Sequence, residues 1–153
     1  MKHKQLLNDE QRSVWRRFMR VQAELTRRLD EELRADMGIG LNALEVLWLL
    51  AIARGNRLRM TDLADHLVFT RSGVTRLVDR LERDGLVLRE NVDEDLRGRY
   101  AILTRKGFDL FEEAARLHVD ALGELFFGKL NTRELKQFNA LLCLVGEGLG
   151  EPS

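Results

Sequence analysis

Apolar residues at Val14, Phe18, Val21, Leu25, Leu29 and Leu33 recur at helical spacing along the first part of the chain. They mark one stripe of a helix from residue 10 to about 36, with Arg16, Arg17, Arg20, Arg27 and Arg28 largely off it. The MGIG stretch that follows predicts the helix end, because glycine takes the left-handed cap conformation cheaply. A second helix, from Leu41 to about Arg54, is apolar on most sides and belongs in the middle of a domain, with Gly55 and Asn56 closing it. Thr61 is the expected N-cap of a helix over 62–67, and Thr70 of a helix over 71–84 that ends at Gly85. Residues 87–90 and 99–103 are short β-type runs flanking the polar stretch NVDEDLRG, which predicts a β-hairpin with a long, charged tip. From Thr104 a stripe of Leu110, Ala114, Leu117, Ala121, Leu122 and Leu125 carries a helix to about Phe127. Asn131 and Glu134 form the pattern of a capping box, opening a last helix that presents Leu135, Phe138, Leu142 and Val145.

The resulting fold class is mainly α with a small β-hairpin. Its 153 residues suit one ordinary domain. A 44% hydrophobic and 33% charged composition excludes a low-complexity chain. The longest apolar run, 46–53, falls far short of the ~20 residues a membrane span needs. Only Leu6 and Leu7 follow Lys2 and Lys4, too little for a signal-peptide core. Cys143 is the single cysteine, so no intrachain disulfide can form, and a cytoplasmic location is expected. We expect it to be a small buried hydrophobe among Leu141, Leu142, Leu144 and Val145.

Net charge is zero, but its distribution matters. Residues 57–106 hold eleven basic against nine acidic side chains, and 107–153 hold four against eight. The C-terminal part is thus a poor candidate for nucleic acid, and any contact from the middle depends on where particular arginines point. No phosphate loop, G-x-S-x-G elbow or His/Cys or paired-carboxylate set is present, so an enzyme is not expected. His3, His66 and His118 are too scattered for a metal site, and neither metal nor cofactor is expected.

Two short helices followed by a hairpin are the layout of a winged helix-turn-helix, here residues 41–105. Val74, Leu77, Val78 and Leu81 give the second of these helices an apolar face to pack with. Arg71, Ser72, Thr75, Arg76 and Arg80 fall on the opposite face or its edges, the face that a major groove about 12 Å wide admits. Ser72 and Gly73 keep its first turn slim, although Gly73 costs ~1 kcal/mol of helix propensity relative to alanine. In the hairpin, Asp93, Glu94 and Asp95 precede Arg97 and Arg99, and only the two arginines make the tip attractive to DNA. Asp95 is expected either to hold the strand ends or to orient Arg97 by a charge-assisted hydrogen bond. The bland alternative for these arginines is a solvated face with local pairs, Arg76 and Arg80 lying near Asp79 and Asp84.

TRSGVTRLVDRLERDGLV (70–87), followed by DLRGRYAILTRKG (95–107), resembles the MarR family of bacterial transcriptional regulators. It is similar to that family's recognition helix, its wing with the D-x-R signature at Asp95 and Arg97, and its L-T-x-x-G motif at Leu103, Thr104 and Gly107. ALEVLWLLA and RMTDLADHL are similar to the two preceding helices. The resemblance covers about residues 10–150 and implies one domain over 1–153, with 1–40 and 106–153 as dimerisation helices. It further implies a homodimer with double-stranded DNA as partner, no membrane partner, and a repressor that leaves a palindromic operator when a small, phenolic or aromatic effector binds. Where a basic residue is common between the signature Asp and Arg, this chain has Leu96, which implies one phosphate contact fewer.

The expected DNA-binding set is Thr61, Thr70, Arg71, Ser72, Gly73, Thr75, Arg76, Arg80, Asp95, Arg97 and Arg99. Phe18, Met37 and Trp48 are the candidates for an effector cleft, their bland alternative being core packing. Leu6, Leu7, Val14, Phe18, Leu122, Leu125, Phe126, Phe127, Leu130, Phe138, Leu142 and Val145 are expected at the subunit contact. The alternative function is a winged-helix protein-interaction module without DNA binding, favoured by the near-neutral charge.

Overall fold

The computed structural model describes residues 7–67, 70–92 and 95–148, apart from the side chains of 71, 92 and 95–98. Helix α1 spans Asp9–Met37 and opens on a capping box between Asn8 and Gln11. Gly38 closes it at φ +70°, where a side chain would be strained, and its N–H reaches the Arg34 carbonyl. Helix α2, Leu41–Ile52, follows at once. Asp30 of α1 reaches across to it, accepting from the Leu41 N–H at 2.8 Å while the Arg34 guanidinium holds its other oxygen at 2.6 Å. A carboxylate from α1 thereby satisfies one of the free donors at the start of α2.

After a short 3₁₀ turn, strand β1 (Arg57–Arg59) leads into helix α3 (Met60–His66) and helix α4 (Arg71–Arg83). Strands β2 (Val87–Val92) and β3 (Asp95–Leu103) complete an antiparallel sheet in the order β1-β3-β2. The fold is therefore mainly helical with a three-stranded sheet, where the apolar pattern alone predicted two strands. Arg57 to Arg59 is too short and too basic to read as a strand. It forms one because β3 offers a free edge, with Leu58 opposite Ala101. The hairpin strands also run further than predicted, and a register shift at Asn91/Val92 turns the strand near the tip.

The chain separates into two compact units, 1–118 and 119–153, and the boundary lies inside helix α5 (Arg105–Leu125). In the first unit, α2 is the centre: Val46, Leu47 and Leu50 are fully buried. Around them gather Leu33, Leu63, Val74, Val78, Leu81, Val87, Ala101 and Ala114. In the second unit, helix α6 (Thr132–Glu147) starts from the expected Asn131–Glu134 capping box. Phe126 packs edge-on against Phe127 and Phe138 at 5.2 and 5.6 Å between ring centroids.

The stripe on α1 divides in two. Leu29 and Leu33 are buried, whereas Val14, Phe18 and Val21 are exposed, with Val14 at 64%. On α6, Leu141, Leu142, Leu144 and Val145 are exposed as well. Cys143 lies exposed among them, contrary to the expected burial, because none of the described residues covers that face. No single helix among the described residues is long and apolar enough to cross a membrane.

Candidate nucleic-acid interface

Helix α4 divides as its periodicity requires. Val74, Val78 and Leu81 are at most 1% exposed, and Leu77 is half-buried. Ser72, Gly73, Thr75, Arg76 and Arg80 are exposed. Thr70 is the N-cap, its hydroxyl accepting from the Gly73 N–H at 3.2 Å and lying 3.2 Å from the Ser72 hydroxyl. The first turn thus presents free backbone N–H groups and two hydroxyls, an arrangement suited to an anion. Arg80 stands 3.8 Å from Asp84, a loose surface pair that leaves its head near solvent.

Thr61 departs from its expected role. Helix α3 begins at Met60 with Arg59 as its N-cap, and the Thr61 hydroxyl donates to the Asp62 carboxylate at 3.1 Å. Pairing of β1 with β3 draws the chain into the helix earlier than the Thr61 signal suggested. Arg99 is exposed on β3, opposite Asn91. The backbones of Arg71, Asp95 and Arg97 belong to α4 and β3, and their side chains lie outside the described residues.

Two features escaped the sequence reading. The first is Arg89. Strand alternation puts Val87 inward, Leu88 outward and Arg89 inward again, so a guanidinium is carried beneath α4 with only 14% of its side chain exposed. It donates to the Thr75 carbonyl at 3.1 Å and pairs with Asp79 at 2.5 Å. Asp79, read as a local partner of Arg76 and Arg80, is thus engaged by the wing strand. An inward arginine in an apolar strand was the signal, since such a charge needs a partner. The second is a cluster on the sheet's outer face, where the Arg57 and Arg59 guanidinium carbons stand 4.1 and 5.8 Å from the Tyr100 ring centroid. Hydrogen bonds from Arg59 and then Arg57 hold the Tyr100 phenol below its ordinary pKa.

The effector candidates are not drawn together within one chain. Phe18 and Met37 are on the same helix, and at 1.5 Å per residue they stand roughly 28 Å apart. Phe18 is exposed beside Trp15, and Met37 is half-buried against the core. Trp48 is 43% exposed and meets Phe111 edge-on at 6.0 Å. Among the described residues no three His, Cys, Asp or Glu side chains converge as a metal site requires.

A buried-backed helix with a polar outer face, flanked by a β-hairpin, defines the class: a winged helix-turn-helix protein. Residues 39–98 match the model of the MarR family. Sco3205 of Streptomyces coelicolor, a MarR family transcriptional regulator whose crystal structure is in complex with DNA, is 36% identical, with 97% of this chain and 93% of that one covered at a TM-score of 0.89. The HTH-type transcriptional regulator YkoM of Bacillus subtilis (strain 168) is 31% identical over 88 residues, 58% of this chain and 56% of its own. The HTH-type transcriptional repressor MdtR of the same organism is 27% identical over 109 residues, 71% of this chain and 66% of its own. The chain spans 56% to 66% of the length of the curated relatives it matches. This chain belongs to the MarR family of winged helix-turn-helix transcriptional regulators, a family of regulators and not of enzymes.

Proposed function

We propose that the protein is a homodimeric, sequence-specific reader of double-stranded DNA that acts as a repressor in the cytoplasm and leaves a palindromic operator when a small, phenolic or aromatic effector binds. The observation that carries the DNA reading is α4 itself: its apolar side is sealed under the core while Ser72, Thr75, Arg76 and Arg80 remain open to a groove. Arg71, Ser72, Thr75 and Arg76 read bases, with Gly73 keeping the first turn slim enough to approach them; Arg97 and Arg99, joined by Thr61 and Thr70, hold the phosphate backbone, with Asp95 orienting Arg97 and Arg80 adding a DNA contact from the same face of α4. DNA in the Sco3205 crystal structure and the repressor role of MdtR support this reading.

The uncovered apolar faces of α1 and α6 support the dimer, since a monomer rarely leaves so much large apolar surface in water. Two copies then set two reading helices roughly 34 Å apart on a palindrome. Phe18, Met37 and Trp48 border the effector cleft, which the partner subunit completes, because Phe18 is too far from Met37 along the helix they share. An effector that prefers one spacing of the reading helices shifts the operator equilibrium.

The test is binding to DNA fragments at two salt concentrations. Steep salt dependence is expected, with Arg97→Ala weakening all sequences and lowering the salt slope by about one. Arg76→Ala is expected to relax specificity at one position. Absence of salt-dependent binding would favour a protein-interaction module instead. A stable folded monomer of 17.7 kDa at micromolar concentration would exclude the dimer.

A further inference from the structure

The DNA reading leaves Arg89 without a role, yet this residue reaches three residues of α4 from the wing strand. Its Nη2 donates to the Thr75 carbonyl at 3.1 Å, and its Nη1 meets Asp79 Oδ1 at 2.5 Å. Its backbone N–H donates to Glu82 Oε1 at 3.2 Å, while Nε faces Glu82 Oε2 at 3.8 Å, in ion-pair range but without a hydrogen bond. Thr75, Asp79 and Glu82 sit at i, i+4 and i+7, a flank of α4 about 10 Å long. The planar fork therefore grips a recognition-type helix at Thr75 and Asp79, while the Arg89 backbone N–H holds Glu82 about a turn further on, all from β2, the strand that continues to the wing tip. A guanidinium can hold that geometry; the point charge of a lysine cannot.

We propose that Arg89 is the positioning residue of the DNA interface. By clasping the Thr75 carbonyl, Asp79 and Glu82, it fixes the rotation and axial position of α4 against β2, so that the reading helix and the wing meet one duplex in a single register. Arg89 makes no contact with DNA in this scheme, because its guanidinium is committed to α4. The inference rests on the DNA reading above. It differs from a purely structural bond in what it sets: the relation between two DNA-facing elements that have other anchors, β2 being held along β3 by their ladder. Helix α4 is held through its buried Val74, Val78 and Leu81, and the turn after it through Thr104 and Lys106.

The experiment uses the full-length protein, a random-sequence duplex pool and a duplex that the wild-type protein selects from that pool. Affinity for both is followed by fluorescence anisotropy across a salt series, alongside thermal unfolding. Arg89→Lys is expected to lose about tenfold in its preference for the selected duplex, the scale of one spoiled base-pair contact. Its salt slope is expected to fall by about one as a wing phosphate contact is lost. Asp79→Asn, which leaves Arg89 in place, is expected to lose less, and the double variant no more than Arg89→Lys alone. Should Arg89→Lys fail to fold, Asp79→Asn and Glu82→Gln carry the same test, each expected to lower preference and salt slope. Equal losses on both duplexes with an unchanged salt slope would mean that Arg89 only stabilises the fold, and would overturn the proposal. If the wild type shows no salt-dependent binding to either duplex, the DNA reading itself falls, and this inference with it.

Discussion

Replacing Gly107 by alanine tests how tightly the wing is joined to α5. A Cβ at this position would stand inside the carbonyl oxygen of Leu86, with the Leu86 carbonyl carbon at 2.9 Å and Leu103 Cδ1 at 2.8 Å. The obstacle is backbone, and that backbone is occupied. Leu86 O accepts from the Thr104 N–H at 3.1 Å and lies 3.1 Å from the Thr104 hydroxyl, which also donates to Gly85 O at 2.8 Å. The same hydroxyl oxygen accepts from the Gly107 N–H at 2.9 Å, so moving Leu86 disturbs the start of α5 as well. Overpacking costs about 1–3 kcal/mol, and two weakened hydrogen bonds add about 1 kcal/mol each. The better helix propensity of alanine returns about 1 kcal/mol. The net expectation is a loss of about 3 kcal/mol, or about 6–12 °C in Tm for a chain of this size. Gly123→Ala in the same helix is the control, since an added Cβ there meets nothing within 4 Å, and a gain of up to about 1 kcal/mol is expected. Urea unfolding of both variants at one fixed protein concentration reads the difference. A Gly107→Ala protein as stable as the wild type would refute the argument, because propensity alone would then decide the position.

Three further outcomes follow from the charges. Partial burial pushes the Asp30 carboxyl up, but hydrogen bonds from Arg34 and the Leu41 N–H outweigh it and hold the group below its ordinary 3.8. That stability is present above the ordinary value and is lost as pH falls through the folded one. Asp30→Ala should cost about 1 kcal/mol at neutral pH, in the range of a lost helix cap, and Asp30→Asn should flatten the acid limb of the stability profile. Tyr100 is the only tyrosine in the chain, so ultraviolet titration reads it alone. Its midpoint should lie below the ordinary 10.0 and move up in Arg59→Ala. Burial pushes the His118 imidazole down from 6.5, and its buried Nδ1 has no hydrogen-bond partner among the described residues. As pH falls below 6.5 the unfolded chain takes up that proton first, so stability should decline there, and less steeply in His118→Gln.

The helices and the division of α4 into a sealed and an open side were legible in the sequence because a helix buries one face at fixed spacing. The caps at Thr70 and Asn131 were legible too, since each depends on residues no more than three positions apart. The MarR resemblance likewise rests on short strings, 70–87 and 95–107 with ALEVLWLLA and RMTDLADHL before them, each read from neighbours along the chain. Strand β1 was not legible: its pairing partner lies more than forty positions away, and Arg57–Arg59 acquires strand geometry only from the edge of β3. Nor was the reach of Arg89, whose inward register could be read but whose partners required α4 to lie across β2. The Asp30 cap on α2 and the demand for glycine at 107 have the same origin. Local pattern determined which face each element hides, because that choice depends on neighbours along the chain. Packing decided which charged group answers which backbone, because those pairings arise only where distant segments come within a few ångströms.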